Sequence, residues 1–233
     1  MREIITDIIK ALEVFIDQKR IEFAKKSYPT SMKVLGVTVP NQKIVLKELK
    51  AKTKHLTGRE KLELAKKLVN TNIFECQYIA LEYIGKDKKA LSELNENDLD
   101  EFLINMDNWI SVDCYSLYLV GYAWQQNKIT TEKIKTYLKS DDFWIRRIAV
   151  AATVSLNQKA RGGVGDAKRT LEICALAVND HQDMINKALS WALRELAPID
   201  KDSVINFINK YENNLHSRVI REVKNKIEKD YKN

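Results

Sequence analysis

Two stretches of this sequence carry residue types that could do chemistry. In NWISVD (108–113), Trp109 and Asp113 stand four residues apart, so a helix would set an indole and a carboxylate one turn apart on one face. Asp107 or Asn108 is placed to cap that helix. A plainer reading makes Trp109 a core residue and Asp113 an ion-pair partner, and spacing alone leaves both open. The other stretch is a series. A basic residue immediately precedes an apolar pair three times: Arg147 before Ile148–Ala149, Lys187 before Ala188–Leu189, Arg218 before Val219–Ile220. At about 100° per residue, each cation lies roughly opposite the apolar stripe of its helix. Cations stacked about 10 Å apart, one helix diameter, would suit a phosphate backbone. The competing reading is an ordinary solvated helix face. Trp191 joins the series, about 140° from the centre of its stripe, with Lys187 one turn before it and Arg194 one turn after. An exposed indole between two cations is costly unless it touches something, a ligand or a neighbouring helix.

Such residues need helices to hold them, and the composition supplies little else. Apolar residues make up 45% of the 233, enough for a substantial core, and only 7 Gly and 3 Pro are available for turns, which excludes a β-rich chain. Apolar periodicity predicts helices over about 2–16, 40–54, 59–70, 73–86, 97–106, 109–126, 131–139, 142–157, 166–178, 182–197, 201–211 and 215–231. Pro29 breaks the segment between the first two, and the LGVTVP loop (35–40) leads into the second. Connections are short, as in antiparallel helix hairpins. KARGGVGD (159–166) is the exception, with three glycines and two basic residues, and is expected to be a mobile arm touching a flanking backbone.

The chain also repeats. IRRIAVAATVSL (145–156) aligns with INKALSWALREL (185–196) at an offset of 40, matching Ile145 to Ile185, Ala152 to Ala192 and Leu156 to Leu196. SRVIREVKNKI (217–227) is a looser third copy. A period near 40 with two helices per unit is a HEAT-like signature, although any helical array has comparable stripes. The expected architecture is therefore all-α: one HEAT-like helical repeat domain over 1–233, a superhelix of antiparallel helix pairs with a cationic concave face.

Charge and cysteine usage narrow the classes further. The formal net charge of +7, from 39 basic and 32 acidic residues, is modest, so its meaning depends on grouping. Cys76, Cys114 and Cys174 are far apart and read as reduced core thiols of a cytoplasmic protein. The N-terminus does not resemble a signal peptide, and no apolar run approaches a membrane span. His55, His181 and His216 are isolated, so neither a metal nor a cofactor is expected. The nucleotide-binding pattern GxxxxGK[ST] is missing.

Four segments together carry a family resemblance: LGVTVP, NWISVD, DDFWIRR (141–147) and ALSWALRE (188–195). In this order and with these separations they resemble the bacterial DNA alkylation repair proteins of the AlkD type, over nearly the whole chain. The resemblance implies a HEAT-like superhelix gripping duplex DNA and a glycosylase that removes N3- and N7-alkylated purines, acting as a monomer without a membrane. Carried over by position, Asp113 is the catalytic carboxylate, Trp109 and Trp191 are aromatic walls at the lesion, and Arg147 is a phosphate anchor. Lys187, Arg194 and Arg218, with Lys43, Thr38 and Arg161, complete the implied DNA-contacting set. Three positions depart from the family pattern. Val39 stands before Pro40 where a polar cap is usual, so Thr38 must cap instead. Tyr28 falls where the alignment slips, and it receives no role. The Gly-rich loop is longer than the family's.

The implied reaction suits these residues. An N3- or N7-alkylated purine is cationic and already a good leaving group, so no acid is needed to protonate it. Departure leaves an oxocarbenium-like sugar, which a carboxylate in a partly dehydrated site stabilises. Tryptophan faces attract the electron-poor sugar C–H groups. Neither a base-flipping pocket nor an intercalating plug is legible, and the resemblance implies that the base stays stacked. Two other readings compete: a non-catalytic DNA binder, which gains nothing from Asp113, and a HEAT-like protein scaffold, which has no need of Trp191 between cations.

Affinity for undamaged duplex should therefore fall as salt rises, because phosphate neutralisation releases counterions. Arg147→Ala should reduce the slope of log K against log[salt] by about 1; an unchanged slope would remove Arg147 from the interface.

Overall fold

The computed structural model describes residues 1–230, and the expected end of the last helix at about 231 lies outside them. The regular elements of the described residues are all helices, with one isolated parallel bridge, Lys33 to Ile73. Packing divides the chain into two compact units, Met1–Leu119 and Val120–Asn233.

The first unit contains α1 (Arg2–Glu13), α2 (Gln18–Ser27), α3 (Val39–Lys52), α4 (Gly58–Val69), α5 (Phe74–Gly85), α6 (Lys88–Glu93), α7 (Glu96–Phe102) and α8 (Trp109–Tyr115). Its centre is α5, which packs against α1, α3, α4, α6 and α8 and buries every residue from Phe74 to Ile84 except Tyr78. An apolar helix with no polar face belongs there. The α2 helix begins where Asp17 Oδ1 accepts from the Lys19 and Arg20 amides, and it buries only Ala24 fully. That weak stripe is why periodicity did not find it. The six-residue α6 is too short to show a period at all. As expected, Thr38 caps α3, accepting from Asn41 N at 3.4 Å, with Pro40 in the first turn. The α8 helix continues through a π-helical turn, Ser116–Val120, in which the boundary between the units falls.

In the second unit, α9 (Gly121–Gln125) precedes three helix pairs: α10 (Thr131–Leu138) with α11 (Phe143–Asn157), α12 (Ala167–Ala177) with α13 (Asp183–Leu196), and α14 (Lys201–Lys210) with α15 (Ser217–Asp230). The first helices of the pairs neighbour one another in the order α10, α12, α14, and the second helices in the order α11, α13, α15. Phe143 and Asp183, which open α11 and α13, are one 40-residue repeat apart. Ile148, Ala149, Ala188, Leu189 and Val219 are all fully buried, as the repeat requires. The α11 helix is more enclosed than a single stripe implies, because α9, α10, α12 and α13 surround it and every residue from Arg147 to Asn157 is buried.

The Gly-rich loop is a tied turn rather than the loose arm expected from its composition. Gly163 N donates to Gln158 O and Gly165 N to Leu156 O, both at 3.0 Å. Gly162 (φ +80°) and Gly165 (φ +93°) take up left-handed backbone. A Cβ on Gly163 would lie 2.4 Å from the Ser155 carbonyl oxygen. Val164, 91% exposed, stands clear at the tip.

A buried charge cluster ties α4 to α7. Asp98, its side chain 2% exposed, lies 2.6 Å from Arg59 Nη1 and 2.7 Å from Lys66 Nζ. Burial pushes its carboxyl up, but the hydrogen bonds from Arg59 and Lys66 outweigh that and hold it below the ordinary 3.8. Lys66 is correspondingly held above the usual lysine value against its own burial.

Two stability predictions follow from these contacts. A depressed carboxyl stabilises the fold above its unfolded pKa and ceases to as pH falls through the folded value. Asp98→Asn should thus cost about 3 kcal/mol at neutral pH and leave a shallower loss of stability on acidification. Urea melts from neutral to acid pH measure both, and an unaltered acid limb would remove this cluster as its source. Gly163→Ala should lower stability by about 1–3 kcal/mol, because the blocking atom is backbone and cannot step aside. A thermal melt identical to the parent's would show that the turn relaxes freely.

Candidate functional site

The first unit supplies Trp109 and Asp113. Asn108 caps α8, its Oδ1 accepting from Ser111 N at 3.0 Å. Of the two candidate caps it is Asn108 that serves, because Asp107 is engaged elsewhere. Asp107 takes the Thr30 hydroxyl (2.6 Å), the Ser31 amide (2.6 Å) and the Ser31 hydroxyl (2.7 Å). Burial raises its carboxyl, but these donors together hold it below the ordinary value. The segment after α2 is thereby fastened to the start of α8.

Trp109 then sits in the first turn of α8 and is 42% exposed, so it is not a core residue. Its indole Nε1 donates to the Ser27 carbonyl at 3.1 Å, at the last turn of α2. That bond fixes the ring while leaving much of it open. Asp113, one turn on, is half-buried. Tyr28, beside Ser27, stacks on Phe74 with ring centroids 5.0 Å apart. Burial pushes its phenol up, reinforced by the nearby Glu75.

Glu75 was not singled out by sequence reasoning, yet it organises the LGVTVP loop. Its buried carboxylate accepts from the amides of Leu35 (3.0 Å), Gly36 (2.8 Å) and Val37 (3.2 Å). Gln42 completes the hold by donating to Val37 O at 2.7 Å. Burial raises the Glu75 carboxyl despite the three amides, which favour its charged form. The available signal was a glutamate inside the apolar helix FECQYIALEYIG, where an exposed face is lacking. Lys43 lies exposed on α3 just beyond this loop.

The second unit supplies the other chosen residues, and α13's first turn links three of them. Arg147 is only 4% exposed, and its Nη1 donates to the Met184 carbonyl. The stripe arithmetic placed it opposite the core; the enclosure of α11 leaves that side covered as well. Lys187 Nζ lies 2.7 Å from Asp183, and Arg218 Nη1 lies 3.5 Å from the same carboxylate. Arg218 also pairs with Glu222 at 2.7 Å, and Glu222 accepts the Ser190 hydroxyl at 2.5 Å. The hydrogen bond from Lys187 holds Asp183 below its ordinary pKa, and that from Ser190 does the same for Glu222.

Trp191 is half-buried rather than fully open, and its Nε1 donates to Glu195 at 3.1 Å. Arg194 Nε donates to the Ser190 carbonyl and hydroxyl, each at 3.2 Å. This face is thus a chain of alternating charges, not the purely basic row read from the sequence. The acidic partners lie four residues away on the same helix or on the neighbouring one, where a search for cations alone passes over them. Arg161, in the Gly-rich turn, donates to Gln158 Oε1 at 3.1 Å.

Among the described residues, no three His, Cys, Asp or Glu side chains cluster as metal ligands. None of the three cysteines is in a disulfide; burial pushes Cys76 up to about 11 and Cys174 up to about 12, which makes both poor nucleophiles, while Cys114 is half-buried. No helix among the described residues is long and apolar enough to cross a membrane.

Comparison with curated proteins finds no match. Among solved structures the chain is similar to a predicted DNA alkylation repair enzyme from Enterococcus faecalis, with a TM-score of 0.67 and 16% identity over 88% of this chain and 91% of that one. At that identity the likeness concerns the fold. The model of the DNA alkylation repair enzyme family matches residues 8–227. With nearly the whole chain so matched, this protein belongs to the DNA alkylation repair enzyme family.

Proposed function

We propose that the protein is a DNA glycosylase that excises positively charged N3- and N7-alkylated purines from duplex DNA, as a cytoplasmic monomer. The observation that carries this reading is the pairing on α8: an exposed indole pinned by Ser27, one turn from the half-buried carboxylate of Asp113. A structural role for Trp109 would bury it. A binding role alone would not set an anion beside it, because phosphate repels carboxylate.

In this mechanism the glycosidic bond breaks with its electron pair going to the base, which departs neutral, and water later adds to the sugar and loses its proton to solvent. The sugar becomes oxocarbenium-like, and Asp113 lowers the energy of that charge and orients water toward the anomeric carbon. The Trp109 face, and Trp191 in the same role, offer π density to the electron-poor sugar. Each ~1.4 kcal/mol gained this way is tenfold in rate. Arg147, Lys187, Arg194, Arg218, Lys43 and Arg161 are assigned to the phosphates, and Thr38 to shaping the start of α3. For Lys187 and Arg218 this means exchanging Asp183 and Glu222 for phosphate. Because Arg147 is buried, its replacement tests packing as well as contact, so its salt slope must be read beside a melting curve.

Asp113→Asn keeps the shape and removes the charge. Single-turnover release of 7-methylguanine should fall by at least about 100-fold, since one preorganised electrostatic group is worth about 3 kcal/mol at the transition state. Binding to the same oligonucleotide should be unchanged or tighter, because an anion near phosphate is relieved. Opposite movement of the two readouts, with an unaltered melt, supports the assignment. Parental excision by the variant would defeat it and leave a DNA-binding scaffold.

A further inference from the structure

Apart from the Ser27 carbonyl that holds Trp109, the α2 helix has no part in the reaction just described, yet one of its faces is unlike any other chosen above. At 100° per residue, Arg20, Ser27, Phe23, Lys19 and Lys26 follow one another around the helix on one side of the buried Ala24, with Phe23 in the middle. Lys19, Arg20 and Lys26 are exposed, and Phe23 is 58% exposed among them. The one carboxylate of α2, Glu22, borders this face beside Lys26 and Lys19, but it is paired with Lys25 at 2.7 Å. Among the described residues, neither Lys19, Arg20 nor Lys26 makes an ion pair, in contrast to Lys187 and Arg218, whose charges are already answered. Ser27 closes the face, and its carbonyl is the acceptor that holds Trp109. Phe23 stands one turn, about 6 Å along the axis, from Ser27. The open Trp109 ring is thus tied to the residue that ends this face, and Phe23 stands among three cations that make no ion pair.

We propose that this face of α2 is a second DNA contact, in which Lys19, Arg20 and Lys26 hold phosphates and Phe23 packs against a base that has left the stack. The choice of nucleic acid rests on the reading of the protein as a DNA repair enzyme and on charge complementarity. Three unpaired cations fit a polyanion, and an apolar ring among them fits the one part of a polyanion that is flat and apolar. A fully stacked duplex offers Phe23 nothing but a base step to wedge, whereas an unpaired base offers a whole face. The surface is thus suited to DNA whose pairing is locally broken. It would recognise the opened duplex independently of the carboxylate that acts on the sugar.

The test uses unalkylated DNA, so excision plays no part. Fluorescence anisotropy compares a fully paired duplex with the same duplex carrying one bulged base, over a range of salt. The parent should favour the bulged duplex about tenfold. Phe23→Ala should abolish most of that preference and leave the salt slope unchanged, while Phe23→Tyr should retain it. Lys19→Ala and Arg20→Ala should keep the preference and each lower the slope by about 0.9. All are exposed positions, and a melting curve for each variant excludes misfolding. Equal binding of both duplexes by the parent and Phe23→Ala, with unaltered slopes in the lysine and arginine variants, would overturn the proposal. So would α2-dependent binding to phosphatidylglycerol vesicles without any effect on DNA, which would make the face a lipid contact. Loss of excision in Asp113→Asn does not bear on these readouts, and absence of excision in the parent would defeat the proposed reaction while leaving this contact standing.

Discussion

Each helix pair in this fold can hide its apolar stripe only against the next pair, and the consequences of that constraint reach every residue considered above. It drives α5 and α11 into positions surrounded by other helices, where even Arg147 has no open side. Chemistry must then come from places where covering fails. Those are a first turn such as that of Trp109, the side of a second helix such as that of Trp191, and a thinly packed helix such as α2. The exposed aromatic rings mark where the array has no neighbour to offer.

Polar groups do much of the remaining positioning. Glu75, Asp107 and Asp98 each collect several donors, and each fastens one segment to another. Glu75 shapes the loop before α3, Asp107 joins the end of α2 to the start of α8, and Asp98 draws α7 onto α4. These carboxylates sit among donors that hold them in place. Asp113 stands half-buried in α8, one turn from a pinned indole.

The helices with strong stripes were legible because burial imposes a period on sequence. Ile148, Ala149, Ala188, Leu189 and Val219 could be placed in the core, and α11 and α13 could be set one repeat apart, from spacing alone. The α2 helix was not legible: QKRIEFAKKS buries one alanine, so its helical state depends on the Asp17 cap and on packing that no local pattern records. Glycine content similarly misled at 159–166, where three glycines serve a tight tied turn rather than freedom of movement. Within the candidate site, Trp109 and Asp113 were visible as a pair, but the Ser27 carbonyl that orients the indole comes from 82 positions away. Main-chain acceptors have no side-chain signature. The carboxylates answering Lys187 and Arg218 were missed for another reason: charge was read one sign at a time.

The single carboxylate of Asp183, shared by Lys187 and Arg218, makes this face its own counterion. A bare basic surface collects mobile anions from solution and must shed them when a polyanion arrives. Here the neutralising charge is covalently attached, so it can be swung aside but never diluted away. The exchange of Asp183 for a phosphate releases no anion from the protein, so the salt dependence of that contact comes only from the cations that leave the phosphate. The arrangement penalises loosely held polyanions, which cannot outcompete a tethered carboxylate, and it yields only to a phosphate delivered in register by contacts made elsewhere.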